Sequence, residues 1–396
     1  MPTHPVNPEI HLLDGRFYAG DAHRHFDWMR VNAPAYWDEA SRLWGITRYA
    51  DVMEISKRAE VFCSSGSSRP DAPPLPSMIN LDDPAHRQRR SLVSKGFTPR
   101  RVADHEPKIR QLCADLIGRA RAKGQFDFVR DVAAPLPMIV IGDLLGVAPE
   151  DRDRLLEWSD DLMNGLSASA TDAARDAAAA AFSEYYAYHR GVVEDRRAKP
   201  PQDDLMSALV YAEIDGERLD DEALLQESLL ILIGGDETTR HVISGGMYAL
   251  LRNPDQHRRL SANPALVPTA VEEMLRWVSP IQNMNRTATR DVELHGQAIR
   301  AGDKVLLLYP AANRDPAAFP YPQRFDVTRD PNPHVAFGGY GVHFCLGASL
   351  ARLELRVLFE ELVGRLPNLA LASDEPPRLR PSNFVVGIEQ LPVQVV

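Results

Sequence analysis

One helical period runs from Asp220 to Arg252, and its middle carries a cluster that a helix should reject. The run opens on Asp220, Asp221 and Glu222, the charge sign that a helix N-terminus prefers. Its centre reads Gly234-Gly235-Asp236-Glu237-Thr238-Thr239. Each glycine inside a helix costs roughly 1 kcal/mol against alanine, and Asp and Thr add several tenths each. Either two helices meet at a Gly-Gly turn, or something beside one helix compensates. Glycines would clear room for a ligand lying against the helix. A threonine hydroxyl can bond back to a carbonyl one turn earlier and open the ladder. An acid and a hydroxyl at such an opening can carry protons through water.

The rest of the chain is mostly helical in period, with candidates near 102–122, 137–146, 151–165, 171–196, 266–278 and 347–364. An Ala-rich stretch from Ser167 to Ala180 reads as a surface helix. Strand-like runs are few: Leu43 to Thr47, Asp291 to Leu294, Lys304 to Leu308 and Leu391 to Val395. The fold class is therefore mainly α with small β-sheets, and no clear linker divides residues 1–396. Residues 310–346 lack regular pattern, and irregular stretches of that length inside a domain are usually functional or disordered. Asp plus Glu number 55 against 45 Lys plus Arg, which argues against a dedicated nucleic-acid binder. No long apolar run suggests a transmembrane anchor, and no basic-then-apolar leader opens the chain. Three cysteines, Cys63, Cys113 and Cys345, cannot build a disulfide framework, so a cytoplasmic protein is expected.

Cys345 ends the irregular stretch, in Phe337-Gly338-Gly339-Tyr340-Gly341-Val342-His343-Phe344-Cys345-Leu346-Gly347, just before a helix. A helix dipole stabilises a thiolate there, glycines let the backbone approach a flat ligand, and a lone thiolate can ligate haem iron. A buried structural cysteine is the alternative. Glu273 and Arg276 form an i,i+3 pair, by itself no more than an ion pair on a solvated face. His86 and Arg90 share a helix face and suit a carboxylate or phosphate.

Taken in order, these segments resemble the cytochrome P450 family. The cysteine loop matches at Gly341, His343, Cys345 and Gly347, with Phe337 one residue earlier than the family's phenylalanine, as if one glycine were inserted. Gly234, Gly235, Asp236, Glu237 and Thr238 match the family's distal motif, and Glu273 with Arg276 its E-x-x-R pair. The resemblance implies a P450 fold with the long helix over the haem, and heme b ligated by Cys345. It gives Thr238 the role of stabilising reduced dioxygen and Glu237 that of relaying protons. Arg324 in Pro322-Gln323-Arg324-Phe325 would join Glu273 and Arg276 in a structural network, and His86, Arg90, Arg286 and His343 would face haem propionates.

The implied reaction is monooxygenation, with a separate ferredoxin and an NAD(P)H ferredoxin reductase as partners. Arg87, Arg89, Arg100, Arg101, Arg352 and Arg356 would form a basic docking face. By position in the resembled fold, the substrate pocket takes Leu75, Met78, Ile79, Leu162, Met163, Leu229, Ile233, Met284, Phe384 and Val385, a lining that suits a large apolar substrate. Simple core packing is the alternative for each of these residues. Arg69 to Pro76, Asp127 to Met138 and Ile233 to His241 are similar to actinobacterial sterol side-chain hydroxylases, which implies terminal oxidation of a cholesterol or cholestenone side chain. A polyketide or terpenoid hydroxylase is the alternative within the family. A haem-binding module without turnover is the alternative outside it, and the Glu237-Thr238 pair argues against that.

Overall fold

The computed structural model describes residues 5–165, 170–202, 204–214 and 216–396. Among them helices dominate and the sheets are small. The start of the Ala-rich stretch, residues 167–169, lies outside the described residues; the remainder enters the helix Asp172–Ala198. The chain groups into two compact units. One comprises Met1–Leu75, Gly245–Cys345 and Pro377–Glu389, and the other Pro76–Ser244, Leu346–Pro376 and Gln390–Val396.

The first unit is built around a five-stranded sheet in the order Ala35–Asp38, Leu43–Ile46, Lys304–Leu308, Asn283–Ala288, Phe62–Cys63. Leu43–Ile46 runs parallel to Lys304–Leu308, and the other pairs are antiparallel. Successive side chains of a strand point to opposite faces. Val305 and Leu307 accordingly pack with Ile46, Val52, Ile55 and Phe62, while Leu306 and Leu308 pack with Leu12, Phe26, Met29 and Leu43. Both faces are covered, which is why Val305 to Leu308 reads as unbroken apolar sequence. The strand Asn283–Ala288 escaped sequence reading because Asn-Met-Asn-Arg-Thr-Ala has little β-propensity.

The helix Val267–Val278 ends at Ser279, in the left-handed conformation at φ +42°. It presents Glu273 and Arg276, both fully buried. Arg276 donates two bonds to the Glu273 carboxylate, at 2.7 and 2.8 Å, and others to the carbonyls of Asn313, Pro322 and Arg324. Glu273 also accepts from the Asp326 N–H, Arg329 Nε and Asn332 Nδ2. The expected third member was Arg324, and the structure corrects this. Arg324 is exposed and contributes only its backbone carbonyl, and the second guanidinium on Glu273 is that of Arg329. The P-x-R-F spacing marks the right loop, but the chain turns so that the arginine five residues later reaches inward.

The second unit holds the helices Glu106–Ala122, Pro135–Leu144, Arg152–Gly165, Asp172–Ala198 and Ala348–Arg365, with a three-stranded sheet of Leu369–Leu371, Pro392–Val395 and Gln125–Asp127. The candidate helix 102–122 is two helices, Pro99–Asp104 and Glu106–Ala122. Pro107, in the first turn of the second, has no N–H to continue the first. Asp221–Arg252 is one unbroken helix, so no turn occurs at Gly234-Gly235.

Arg329→Ala should cost about 1–3 kcal/mol, since Arg276 still neutralises Glu273 while the carboxylate and the carbonyls of Pro320 and Arg324 lose a donor, whereas Arg324→Ala should cost under about 0.5 kcal/mol. Urea unfolding of the two variants checks this, and equal effects would contradict the assignment.

Candidate active site

The thiol loop of the first unit is held by its own backbone. The Cys345 N–H donates to the Phe337 carbonyl at 2.9 Å, and Phe344 N–H to the Gly341 carbonyl at 3.0 Å. Gly338 turns at φ +96°, a region that glycine enters without steric cost. That turn absorbs the extra residue before Gly341 and brings the backbone of Phe337 to Cys345. The Phe337 ring lies edge-on to Phe344, with centroids 6.3 Å apart. Gly341 sits so close to the helix Tyr49–Lys57 that a Cβ there would overlap the Ser56 carbonyl. Cys345 itself is exposed, while Cys113 is buried in a helix. The helix Ala348–Arg365 begins three residues after Cys345, with Gly347 as its N-cap. Arg286, on the strand Asn283–Ala288, is buried and donates to the Asn285 carbonyl. His343 is half-buried.

In the second unit the helix Asp221–Arg252 shows one open face in its buried middle. Leu230, Ile233 and Thr238 are only partly covered and Gly234 is exposed, at spacings that line up along a helix. A Cβ at Gly234 would meet nothing within 4 Å, whereas one at Gly235 would press on Ile141. The Thr238 hydroxyl donates to the Gly234 carbonyl at 2.8 Å, the back-bond expected of a threonine that opens a helix. Glu237 is fully buried and paired with Arg240 and, at 3.3 Å, with His241. Arg240 also donates to Asp160, whose side chain is partly exposed, so the carboxylate belongs to a charged chain that reaches the surface.

His86 and Arg90 share a face of the helix Ala85–Val93, His86 buried and Arg90 half-buried. Burial, reinforced by Arg90, pulls the imidazole pKa down. Each unit by itself carries features that fit a heme: the first an exposed thiol as donor, the second an open helix face with a glycine that has no Cβ to obstruct and a threonine hydroxyl. No group of three metal-ligating side chains exists among the described residues.

The expected pocket residues divide. Leu162, Met163, Leu229 and Val385 are buried as core residues are, and Met78 nearly so. Ile79, Ile233, Met284 and Phe384 are partly covered, and Leu75 is exposed. The expected pocket segment that begins at Leu162 and Met163 runs on to Ser169, and residues 166–169 lie outside the described residues. Sequence reasoning missed Glu227. It is fully buried on the long helix, accepts the Met78 N–H at 2.8 Å and Arg89 Nη1 at 3.1 Å, and so fixes the turn carrying Met78 and Ile79. Two arginines of the expected docking face are therefore committed within the unit: Arg89 to Glu227, and Arg356 to Glu106 and Glu360.

Asp236 was also overlooked as a site of its own. It is buried beside Ser159, whose hydroxyl donates to it at 3.0 Å. Burial pushes its carboxyl up to about 7 against the pull of Arg240. A carboxyl raised in the fold holds its proton more tightly folded than unfolded, so stability falls as pH rises from its ordinary value of 3.8 towards 7. Asp236→Asn should therefore raise Tm more at pH 8 than at pH 5, as read by thermal unfolding. An equal shift at both would refute the raised carboxyl.

The family model for Cytochrome P450 matches residues 60–395. A steroid C26-monooxygenase of Mycobacterium tuberculosis is 50% identical over 98% of this chain and 97% of its own length. A methyl-branched lipid omega-hydroxylase of the same species is 42% identical over 88% of this chain and 83% of its own. Among solved structures, cytochrome P450 CYP268A2 of Mycobacterium marinum in complex with pseudoionone aligns with a TM-score of 0.91 and 35% identity, covering 100% of both chains. CYP109E1 of Bacillus megaterium in complex with testosterone aligns with a TM-score of 0.86 and 34% identity, covering 95% of this chain and 99% of that one.

Proposed function

This chain belongs to the cytochrome P450 family, and from that premise we propose that it hydroxylates the end of a methyl-branched aliphatic chain, that of a sterol or steroid above all. The observation that carries the reading is the 50% identity to steroid C26-monooxygenase across nearly the whole of both chains. The methyl-branched lipid omega-hydroxylase supports the same chemistry, since both names describe oxidation at a chain end.

The enzyme is a monooxygenase with heme b as its prosthetic group. When bound, the heme supplies dioxygen activation and C–H oxidation. Residue by residue, we assign Cys345 as the iron ligand and His86, Arg90, Arg286 and His343 to the propionates. Gly234 and Gly235 leave room along the helix, and Gly347 and Phe337 frame the thiol. Thr238 offers its hydroxyl from the open face, where the proton it gives to the Gly234 carbonyl can be turned outward. Glu237, buried beside Thr238 in sequence, is the carboxylate we assign to hold a proton and pass it on, while the permanently charged Arg240 anchors it and ties it to the partly exposed Asp160. Thr238→Ala should leave NADH consumption largely intact and lower product per NADH several-fold, and retained coupling would refute this role.

Members of this family draw electrons from redox partners, and we assign that part to a ferredoxin and its NAD(P)H-dependent reductase. Arg100, and Arg87 in an exposed pair with Asp83, lie at the surface of the second unit, where we place docking. No helix among the described residues is long and apolar enough to cross a membrane. The cytoplasmic placement belongs to the same proposal, supported by a cysteine count of three, too few for a disulfide framework.

An optical titration of the ferric enzyme tests the substrate. Cholest-4-en-3-one should give a saturable low-spin to high-spin shift, and turnover with ferredoxin and reductase should yield the terminal alcohol. A shift with phytanic acid and none with the sterol would move the assignment to branched lipids, and failure with ferredoxin would overturn the redox partner.

A further inference from the structure

Three distant stretches of the first unit are joined around Phe384. Asn285 donates its N–H to the Ser68 carbonyl at 2.9 Å and its side-chain amide to the Ser67 carbonyl at 2.8 Å. Gln282 N–H donates to the Phe384 carbonyl at 2.8 Å, and Asn283 Nδ2 to the Asn383 carbonyl at 2.7 Å. Ser67 is held at φ +89°, which a residue with a Cβ adopts only where its surroundings impose it. The chain then delivers Arg69 into a buried pair with Asp71, at 2.9 and 3.3 Å, both side chains about nine-tenths buried. Asp71 also accepts from Asn383 Nδ2 at 3.0 Å, and the Arg69 guanidinium lies 5.1 Å from the centroid of the Phe384 ring.

A buried ion pair adds little stability over apolar residues of the same volume; its attested use is to fix one conformation. Here the group it fixes is a single aromatic ring. Ser382, Asn383 and Val385 to Ile388 are buried, whereas Phe384 keeps part of its surface uncovered. We propose that the Arg69–Asp71 pair, with Asn383, is a positioning clamp on Phe384 that sets which carbon at the end of a long apolar chain is oxidised. This rests on the reading of Phe384 as a substrate-facing residue of a chain-end hydroxylase. The clamp acts through the ring: the guanidinium covers one side, Asp71 holds the guanidinium, and Asn383 ties Asp71 to the backbone that carries the ring.

The test uses the heme-loaded enzyme with 4-fluorophenylalanine placed at position 384. Its fluorine resonance should be single and narrow in the parent, split or broadened in Asp71→Asn and Arg69→Gln, and restored in the conservative Asp71→Glu. The carbon monoxide difference spectrum and the affinity for imidazole, a ligand too small to reach a pocket wall far from the iron, should stay unchanged. In the two clamp variants the dissociation constant for cholest-4-en-3-one should rise about tenfold or more, as for a misplaced positioning group, and products should spread from the terminal carbon to its neighbours. An unchanged fluorine resonance would overturn the clamp. A broadened resonance with unchanged affinity and products would overturn its role in specificity. Were the parent itself to show no sterol shift, the sterol reading would fall. Affinity and product position would then be read with phytanic acid by the same criteria.

Discussion

A carboxylate with no exposed surface, that of Glu273, holds the part of the chain that has no secondary structure of its own. From Asn313 to Gly347 the backbone has no regular ladder, yet buried polar groups must be paired. Arg276 and Arg329 satisfy carbonyls from Asn313 to Arg324, and Glu273 satisfies the donors that return. A path runs from this hub to the thiol. The Asn313 carbonyl binds Arg276, and its side chain accepts the Val335 N–H. Gly338 N–H bonds to the Val335 carbonyl, and Cys345 N–H to that of Phe337. The geometry of Cys345 is thus set by an ion pair well removed from it in sequence.

The long helix shows the complementary case, in which regular structure is kept at a local cost. Each unfavourable residue of its central cluster has a specific reason to be there. Gly235 admits Ile141, Gly234 leaves a face open, Asp236 accepts a hydrogen bond from the Ser159 hydroxyl, Glu237 is paired with Arg240, and Thr238 donates its proton back to the helix. Propensity alone disfavours this segment, and tertiary partners overrule it.

Much of this was legible in the chain. The apolar period marked the long helix, the irregular stretch 310–346 marked the loop, and the order of weak motifs marked the family. What spacing could not reveal was which side chain turns inward. Arg324 and Arg329 lie in one loop, and only its folded path decides that Arg329 meets Glu273. Glu227 and Asp236 carry no periodic signal, because their partners lie on other elements far off in sequence, and Arg69 and Asp71, though two residues apart, are buried only by the distant segment of Asn383 and Phe384.

The helical class, the cysteine loop and the acid–threonine pair could be read from neighbouring residues, because each is written locally. Tertiary structure alone decided that the Gly-Gly segment stays one helix, that the polar run Asn283–Ala288 is a sheet strand, and that the extra glycine is absorbed by a turn at Gly338. The physical reason is common to all three: local preference is worth about 1 kcal/mol per residue or less, and burial with long-range hydrogen bonds outweighs it.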